Sequence, residues 1–246
     1  MKKDLRWKYE YKYRIPRLTA ESLAKLFPSL GLRPDPHATA GGEYYVTSIY
    51  FDSPGLGDYY DKAGGFKVRK KIRGRIYSPW QNEKTKEVRF EVKWRDGLHI
   101  AKEGLLLSHR EWDRLIAGNY SELLSLPMHE RDQETFKIML WHVIRDSMRP
   151  RTLVKYLRRP FVLNDGGTFR VTLDHHIVAC EKPNFWYTPF VTRVLPDDEA
   201  IMEVKFSDTL PRWYQDLIYS FNLKRISYSK YASAVDAVRA VHPLPR

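Results

Sequence analysis

The sequence predicts an α+β fold built on a mainly antiparallel sheet, with helices flanking it. Short stretches of alternating apolar and polar residues recur along the whole chain. Helical patterns interrupt them without a regular strand–helix–strand alternation, which argues against a parallel sheet. No low-complexity segment, fixed-period repeat or Gly/Ser linker divides the 246 residues. One domain over 1–246 is therefore expected, with a helical insertion around 108–148.

The elements follow in order. Trp7 to Ile15 alternates strictly, with Trp7, Tyr9, Tyr11 and Tyr13 on one face and Lys8, Glu10 and Lys12 on the other. Thr19 is expected to cap a helix that runs to Phe27 and stops at Pro28. Tyr44–Phe51, rich in aromatic and β-branched residues, reads as a strand, as do Phe66–Tyr77 and Glu87–Arg95 around a polar loop at Ser78–Lys86. Ser108 and Glu111 form a capping box for a helix through Ile116. Asp132–Met148 carries Phe136, Met139, Leu140, Val143 and Ile144 at helical spacing, with Pro150 after it. Strands resume at Thr152–Arg159, Thr168–Ala179 and Ala200–Phe206, and helices over Leu210–Phe221 and Tyr231–Val241 close the chain.

Composition narrows the function. A 43% hydrophobic and 14% aromatic chain is not disordered. Lys and Arg outnumber Asp and Glu 42 to 30, so the charge is +12 and the expected partner is an anion. The single cysteine, Cys180, excludes a disulfide framework and a cysteine-rich zinc site. No apolar run approaches the roughly 18–20 residues of a membrane span. The start, Met1-Lys2-Lys3-Asp4, lacks the apolar stretch of a signal peptide. A cytoplasmic location and no intrinsic membrane segment are expected.

Charge alternation is the most informative feature. Lys67 to Arg75 holds six basic residues in nine positions and no acidic one. On a strand, Arg69, Lys71, Arg73 and Arg75 share one face, opposite Val68, Ile72 and Ile76. Arg89, Glu91, Lys93 and Arg95 oppose Val88, Phe90, Val92 and Trp94; Glu203 and Lys205 oppose Met202, Val204 and Phe206. A wet sheet face would account for any one such strand. Like charges crowded on every strand cost stability in that arrangement. A sheet curled into a barrel points all of them into one lumen, where a polyanion would neutralise them. Arg suits phosphate through its fork of donors, and carboxylate oxygens suit Mg²⁺ or Mn²⁺.

Tyr9-Glu10-Tyr11-Lys12-Tyr13, Ser48-Ile49-Tyr50-Phe51-Asp52 and the Arg69-x-Lys71-x-Arg73-x-Arg75-x-Tyr77 run resemble the VTC domain, the polyphosphate polymerase family of the triphosphate tunnel metalloenzymes. The likeness continues in order through Glu91-Val92-Lys93, Tyr156-Leu157-Arg158, Phe169 to Asp174, Glu203-Val204-Lys205 and Ser229-Lys230-Tyr231. It implies an antiparallel barrel forming a basic tunnel that transfers the γ-phosphate of ATP onto polyphosphate. It further implies phosphate contacts from Lys12, Arg73, Arg75, Lys93, Arg158, Arg170, Lys205 and Lys230, with Arg69, Lys71 and Ser229 in secondary positions. Glu203 would hold a divalent metal, Mn²⁺ or Mg²⁺, helped by Glu10 or Glu91. Lys8 stands where the wider superfamily often has Glu, so a second, water-activating metal site is not expected; Ser227 stands where some polymerases have a basic residue.

Three alternatives stay open: a tunnel-type triphosphatase of inorganic or organic triphosphates, a non-catalytic polyphosphate-binding module and, less favoured, a nucleic-acid-binding protein. The last is disfavoured because aromatic and basic residues lie on opposite faces of each strand; no nucleic-acid partner is expected. The resemblance leaves room for a membrane-protein partner. No protein nucleophile is visible. Other signals read as structural. His175 and His176, adjacent on a strand, point to opposite faces unless a bulge intervenes. Cys180 reads as a small buried residue. Pro54-Gly55, Gly64-Gly65 and Gly166-Gly167 read as turns, and Trp112, Trp141 and Trp213 as core.

Overall fold

The computed structural model describes residues 5–38, 41–81, 85–163, 168–181, 183–186, 191–207 and 209–241. Its strands are β1 (Lys8–Pro16), β2 (Leu32–Pro34), β3 (Tyr44–Asp52), β4 (Val68–Ile76), β5 (Glu87–Asp96), β6 (His99–Ser108), β7 (Arg149–Leu163), β8 (Arg170–Cys180), β9 (Thr192–Arg193) and β10 (Glu199–Phe206). Its helices are α1 (Arg17–Leu26), α2 (Gly57–Ala63), α3 (His109–Ala117), α4 (Tyr120–Leu124), α5 (Glu130–Arg145), α6 (Arg212–Ser220) and α7 (Lys230–Val241).

Eight strands close on themselves in the order β7-β3-β4-β5-β6-β1-β10-β8, and β8 pairs back to β7. Every neighbouring pair is antiparallel. The short strands β2 and β9 pair beside β7 and β8. Side-chain alternation then divides the ring into an apolar outside and an inside that carries the charged residues beside an apolar cluster built with α7. The outer face of β3–β6 packs on α3, α4 and α5 through Ile72, Phe90, Trp112, Phe136 and Met139. The outer faces of β1, β8 and β10 pack on α1 and α6, whereas α7 packs on inward-facing residues of β3, β7, β8 and β10 such as Val46, Tyr50, Val154, Tyr156 and Ile201, two of which line the lumen. Burying each such Leu, Ile or Phe contributes about 1.5–3 kcal/mol, which offsets the cost of a lumen full of like charges. Gly74 is essential to one of these contacts: a Cβ there would lie 2.2 Å from the Trp112 ring.

Several local expectations change. The first helix begins directly after Pro16, not at a Thr19 cap: β1 runs on to Pro16, and the Arg17 N–H bonds Asp198 O at 2.6 Å. The fifth helix ends at Arg145, and Pro150 lies inside β7. Trp141 is 55% exposed and Ile144 53% exposed, because Phe136, Met139, Leu140 and Val143 form the face of α5 that meets the sheet. Trp112 is buried as expected. Strand β6 and helices α2 and α4 are additions that the sequence reading does not contain. A bulge does intervene at the histidine pair. The β7–β8 register shifts there, and His176 takes φ +49°. Both imidazoles consequently accept from Arg17 Nη1, at 2.9 Å for His175 Nδ1 and 3.3 Å for His176 Nε2. The expected Gly166–Gly167 turn and part of the Ser78–Lys86 loop lie outside the described residues.

Candidate anion-binding lumen

Each strand of the ring delivers its inward residues by parity. Strand β4 supplies Arg69, Lys71, Arg73 and Arg75, while β5 pairs Arg95, Lys93, Glu91 and Arg89 opposite them. Strands β1 and β10 pair Glu10 with Lys205 and Lys12 with Glu203. Strand β7 adds Arg158 opposite Asp174 of β8, and Lys230 enters from the first residue of α7.

The interior space has two parts. The smaller, of ≈ 90 Å³, is lined by Glu10, Lys12, Arg69, Lys71, Arg73, Arg75, Lys93, Arg158, Glu203, Lys205, Ser229 and Lys230, with Lys62, Arg95 and Tyr231. The larger, of ≈ 970 Å³, is a vestibule lined by Arg170, Lys8, Arg89, Lys102, Tyr44 and Tyr77 among others. Arg73, Arg75, Lys93, Arg158 and Lys205 line both. Eleven of the residues singled out in sequence thus meet with Ser229 around one space. Arg170 is set apart in the vestibule, where Nη2 lies 2.9 Å from Asp35 Oδ2 and 3.2 Å from the Tyr44 hydroxyl.

Carboxylates inside the ring fix the cations. Glu203 Oε1 accepts from Lys230 Nζ at 2.6 Å and lies 3.3 Å from Lys12 Nζ; its Oε2 is 3.4 Å from both Arg158 Nη2 and Lys205 Nζ. Burial alone would raise the Glu203 carboxyl, but Lys12, Lys230 and Lys205 hold it well below the usual range. Glu10 is 2.9 Å from Lys93 Nζ and 3.5 Å from both Lys12 and Lys205. Against burial, Lys12 and Lys93 keep it ionised. Glu91 accepts from Arg73 Nε at 2.6 Å and lies 3.6 Å from Arg75 Nη1. Arg73 also donates to the Tyr50 hydroxyl, and Arg75 to Ser48 Oγ.

Two contributors escaped the sequence reading as site residues. Asp174, fully buried, takes both Arg158 Nε and Nη2 at 2.7 Å and Lys230 Nζ at 2.6 Å. Its parity with Arg170 and Thr172 was the available signal. Lys102 comes from β6; the two-residue loop Gly97–Leu98, with Gly97 at φ +57°, marks that hairpin.

A divalent metal fits part of this arrangement. Glu10 and Glu203 are hard oxygen donors bracketed by the same two lysines, Lys12 and Lys205. Thr172, opposite Glu203 in the β8–β10 ladder, has a buried hydroxyl with no hydrogen-bond partner among the described residues. Glu91 is committed to Arg73 and Arg75 and does not join them. Among the described residues no cluster of three or more His, Cys, Asp or Glu forms a ready-made site. An ion would complete its shell with phosphate oxygens and water. Among the same residues no helix is long and apolar enough to cross a membrane.

The family model for the VTC domain matches residues 8–239. A Vibrio parahaemolyticus protein described as a candidate adenylate cyclase superposes with TM-score 0.51 at 13% identity, over 95% of this chain and 100% of that one. A Hippeastrum protein described as a candidate adenylyl cyclase with a dominant triphosphatase activity gives TM-score 0.50 at 14% identity, over 93% and 95% of the two chains. These likenesses are of fold. No curated protein sequence matches the chain significantly.

Proposed function

The chain belongs to the VTC domain family, and from that premise we propose that it is a polyphosphate polymerase, moving the γ-phosphoryl of ATP onto the end of a polyphosphate chain inside the lumen. The supporting observation is that the two interior spaces share five cations, Arg73, Arg75, Lys93, Arg158 and Lys205. Those cations can accompany a linear anion from one space into the other. The vestibule has room for a nucleoside; the smaller space suits bare phosphates.

Both reactants are anions that repel each other. The work of the protein is to hold them in line and to spread positive charge over the transferring group. Arg73 and Arg75, fixed by Glu91, and Arg158, fixed by Asp174, present rigid donor forks. Lys12, Lys205 and Lys230 supply point charges around Glu203. A divalent ion, Mn²⁺ or Mg²⁺, held by Glu203 and Glu10 would supply Lewis-acid charge to phosphate oxygens. Arg170 would greet the nucleotide in the vestibule. Arg69, Lys71 and Ser229 would contact phosphates at the far side.

Triphosphate hydrolysis is the second reading, favoured by the activity ascribed to the Hippeastrum relative. Incubation with ATP and Mn²⁺, followed by gel separation and an orthophosphate assay, decides between them. Polyphosphatase-sensitive chains that vanish in Lys205→Ala support polymerisation. Orthophosphate without chains makes the protein a triphosphatase, and neither product makes it a binding module.

A further inference from the structure

The vestibule wall carries an aromatic step for which a bare phosphate chain has no use. Along β4 and the residue that follows it, Arg73, Arg75 and Tyr77 succeed one another at two-residue intervals, and all three line the vestibule. Each interval advances the wall by about 7 Å. Of the aromatic residues lining this space, Phe169 is buried and Tyr44 half-buried, whereas Tyr77 is 52% exposed. The face of an aromatic ring carries negative potential, which makes it a poor neighbour for phosphate and a good one for a flat heterocycle. A wall shaped for polyphosphate alone would continue the cations. Two cations followed by an open ring match the order of a nucleoside triphosphate, an anionic tail and then a base.

A tyrosine exposed at the end of a strand needs no ligand to explain it. The surroundings of Tyr77 set it apart. Its ring meets that of Tyr44 edge to face, with centroids 5.7 Å apart and planes at 76°. The Tyr44 hydroxyl accepts from Arg170 Nη2 at 3.2 Å, and Asp35 Oδ2 holds the same nitrogen at 2.9 Å. The exposed ring is thus tied, through Tyr44, to a fixed cation of the same wall. Arg170 also keeps a buried Nε that has no hydrogen-bond partner among the described residues. That donor is left for an oxygen of a ligand, such as a phosphate or ribose oxygen.

We propose that Tyr77 is the nucleobase platform of the vestibule: the base of a bound nucleoside triphosphate stacks on its ring, and Tyr44 is a positioning residue that steadies both this ring and Arg170. The proposal rests on the reading that the lumen binds triphosphates. Tyr77 then sets the end at which a nucleotide enters, with its phosphates running inward past Arg75 to Arg73. It also sets the class of nucleotide. Stacking depends on the area of the base more than on the pattern along its edge, so purine nucleotides should bind more tightly than pyrimidine ones, with adenine and guanine close together.

The test is calorimetric titration with tripolyphosphate and with a β,γ-imido analogue of ATP, which is not turned over. Tyr77→Leu, which removes the aromatic face, should weaken the ATP analogue about tenfold and leave tripolyphosphate affinity unchanged. Tyr77→Phe should bind both ligands as wild type does. The guanosine analogue should match the adenosine one, and the uridine analogue should bind more weakly. In wild type, photolabelling with 8-azido-ATP should mark the peptide that carries Tyr77, and excess tripolyphosphate should suppress the label; this arm decides the matter if Tyr77→Leu does not fold. Equal weakening of both ligands in folded Tyr77→Leu, unchanged affinity for the ATP analogue, or a label confined to other peptides overturns the proposal and leaves the triphosphate reading standing. Wild type that binds tripolyphosphate but not the ATP analogue does the same. Wild type that binds neither overturns both.

Discussion

Replacing Asp174 with asparagine removes the charge that holds two lumen cations at once. Asp174 is fully buried, receives a two-pronged contact from Arg158 at 2.7 Å and bonds Lys230 at 2.6 Å. Asparagine keeps the shape and one acceptor oxygen, but Arg158 and Lys230 are left to share Glu203. Removing one partner from a buried ion pair costs about 3–5 kcal/mol. The retained carbonyl places this change at the lower end, about 3 kcal/mol. At this chain length that corresponds to a fall in Tm of roughly 6–12 °C. Differential scanning fluorimetry reads it directly. The pH dependence supplies a second check. Burial would raise the Asp174 carboxyl, but Arg158 and Lys230 hold it below its ordinary value. Its contribution is therefore complete above the unfolded-state pKa, about 3.9, and is lost as pH falls through the lower folded-state value. The gap between variant and wild type should be steady near neutrality and close only in acid. A Tm change under about 2 °C, or a gap that closes between neutrality and pH 5, refutes this account.

Gly74→Ala should destabilise by about 1–3 kcal/mol or more, since its Cβ would lie within 2.2–2.9 Å of three Trp112 ring atoms; an unchanged urea midpoint would contradict the packing described. Lys102, exposed at the vestibule wall, is pushed down to about 8 by partial desolvation and then by the like charges of Lys205 and Arg75, so anion binding near pH 8 should take up protons and weaken as pH rises through that value. Calorimetry in two buffers of different ionisation enthalpy measures the uptake, and Lys102→Met should reduce it. Glu203→Gln should alter the Mn²⁺ concentration dependence of turnover, whereas Glu91→Gln should leave it and lower Tm, because Glu91 serves Arg73 and Arg75. Equal effects of the two on Mn²⁺ dependence would remove Glu203 from its special place.

What was legible in the sequence was whatever a period of two encodes. The faces of β1, β4, β5 and β10 follow from alternation alone, and with them most of the lumen cations. Strand β6 was not legible in that way: Gly104 and the run Leu105–Leu107 break the alternation, so Lys102 went unseen with it. The histidine bulge depends on how β7 pairs with β8, which no local pattern announces. Trp141 looked like core because apolar residues surround it in sequence, yet the stripe from Phe136 to Val143 turns it outward. The Lys71–Ser229 contact joins residues 158 positions apart in the chain. Each partner alone is an ordinary strand lysine and an ordinary helix-capping serine.

Calorimetric titration of the protein with tripolyphosphate tests most directly whether the closed ring is a receptor for linear phosphate. One saturable site is predicted, with affinity that falls as salt rises and drops about tenfold or more in Lys205→Ala, a loss of about 1.4 kcal/mol or more. Absence of binding, or equal affinity in wild type and Lys205→Ala, would contradict it.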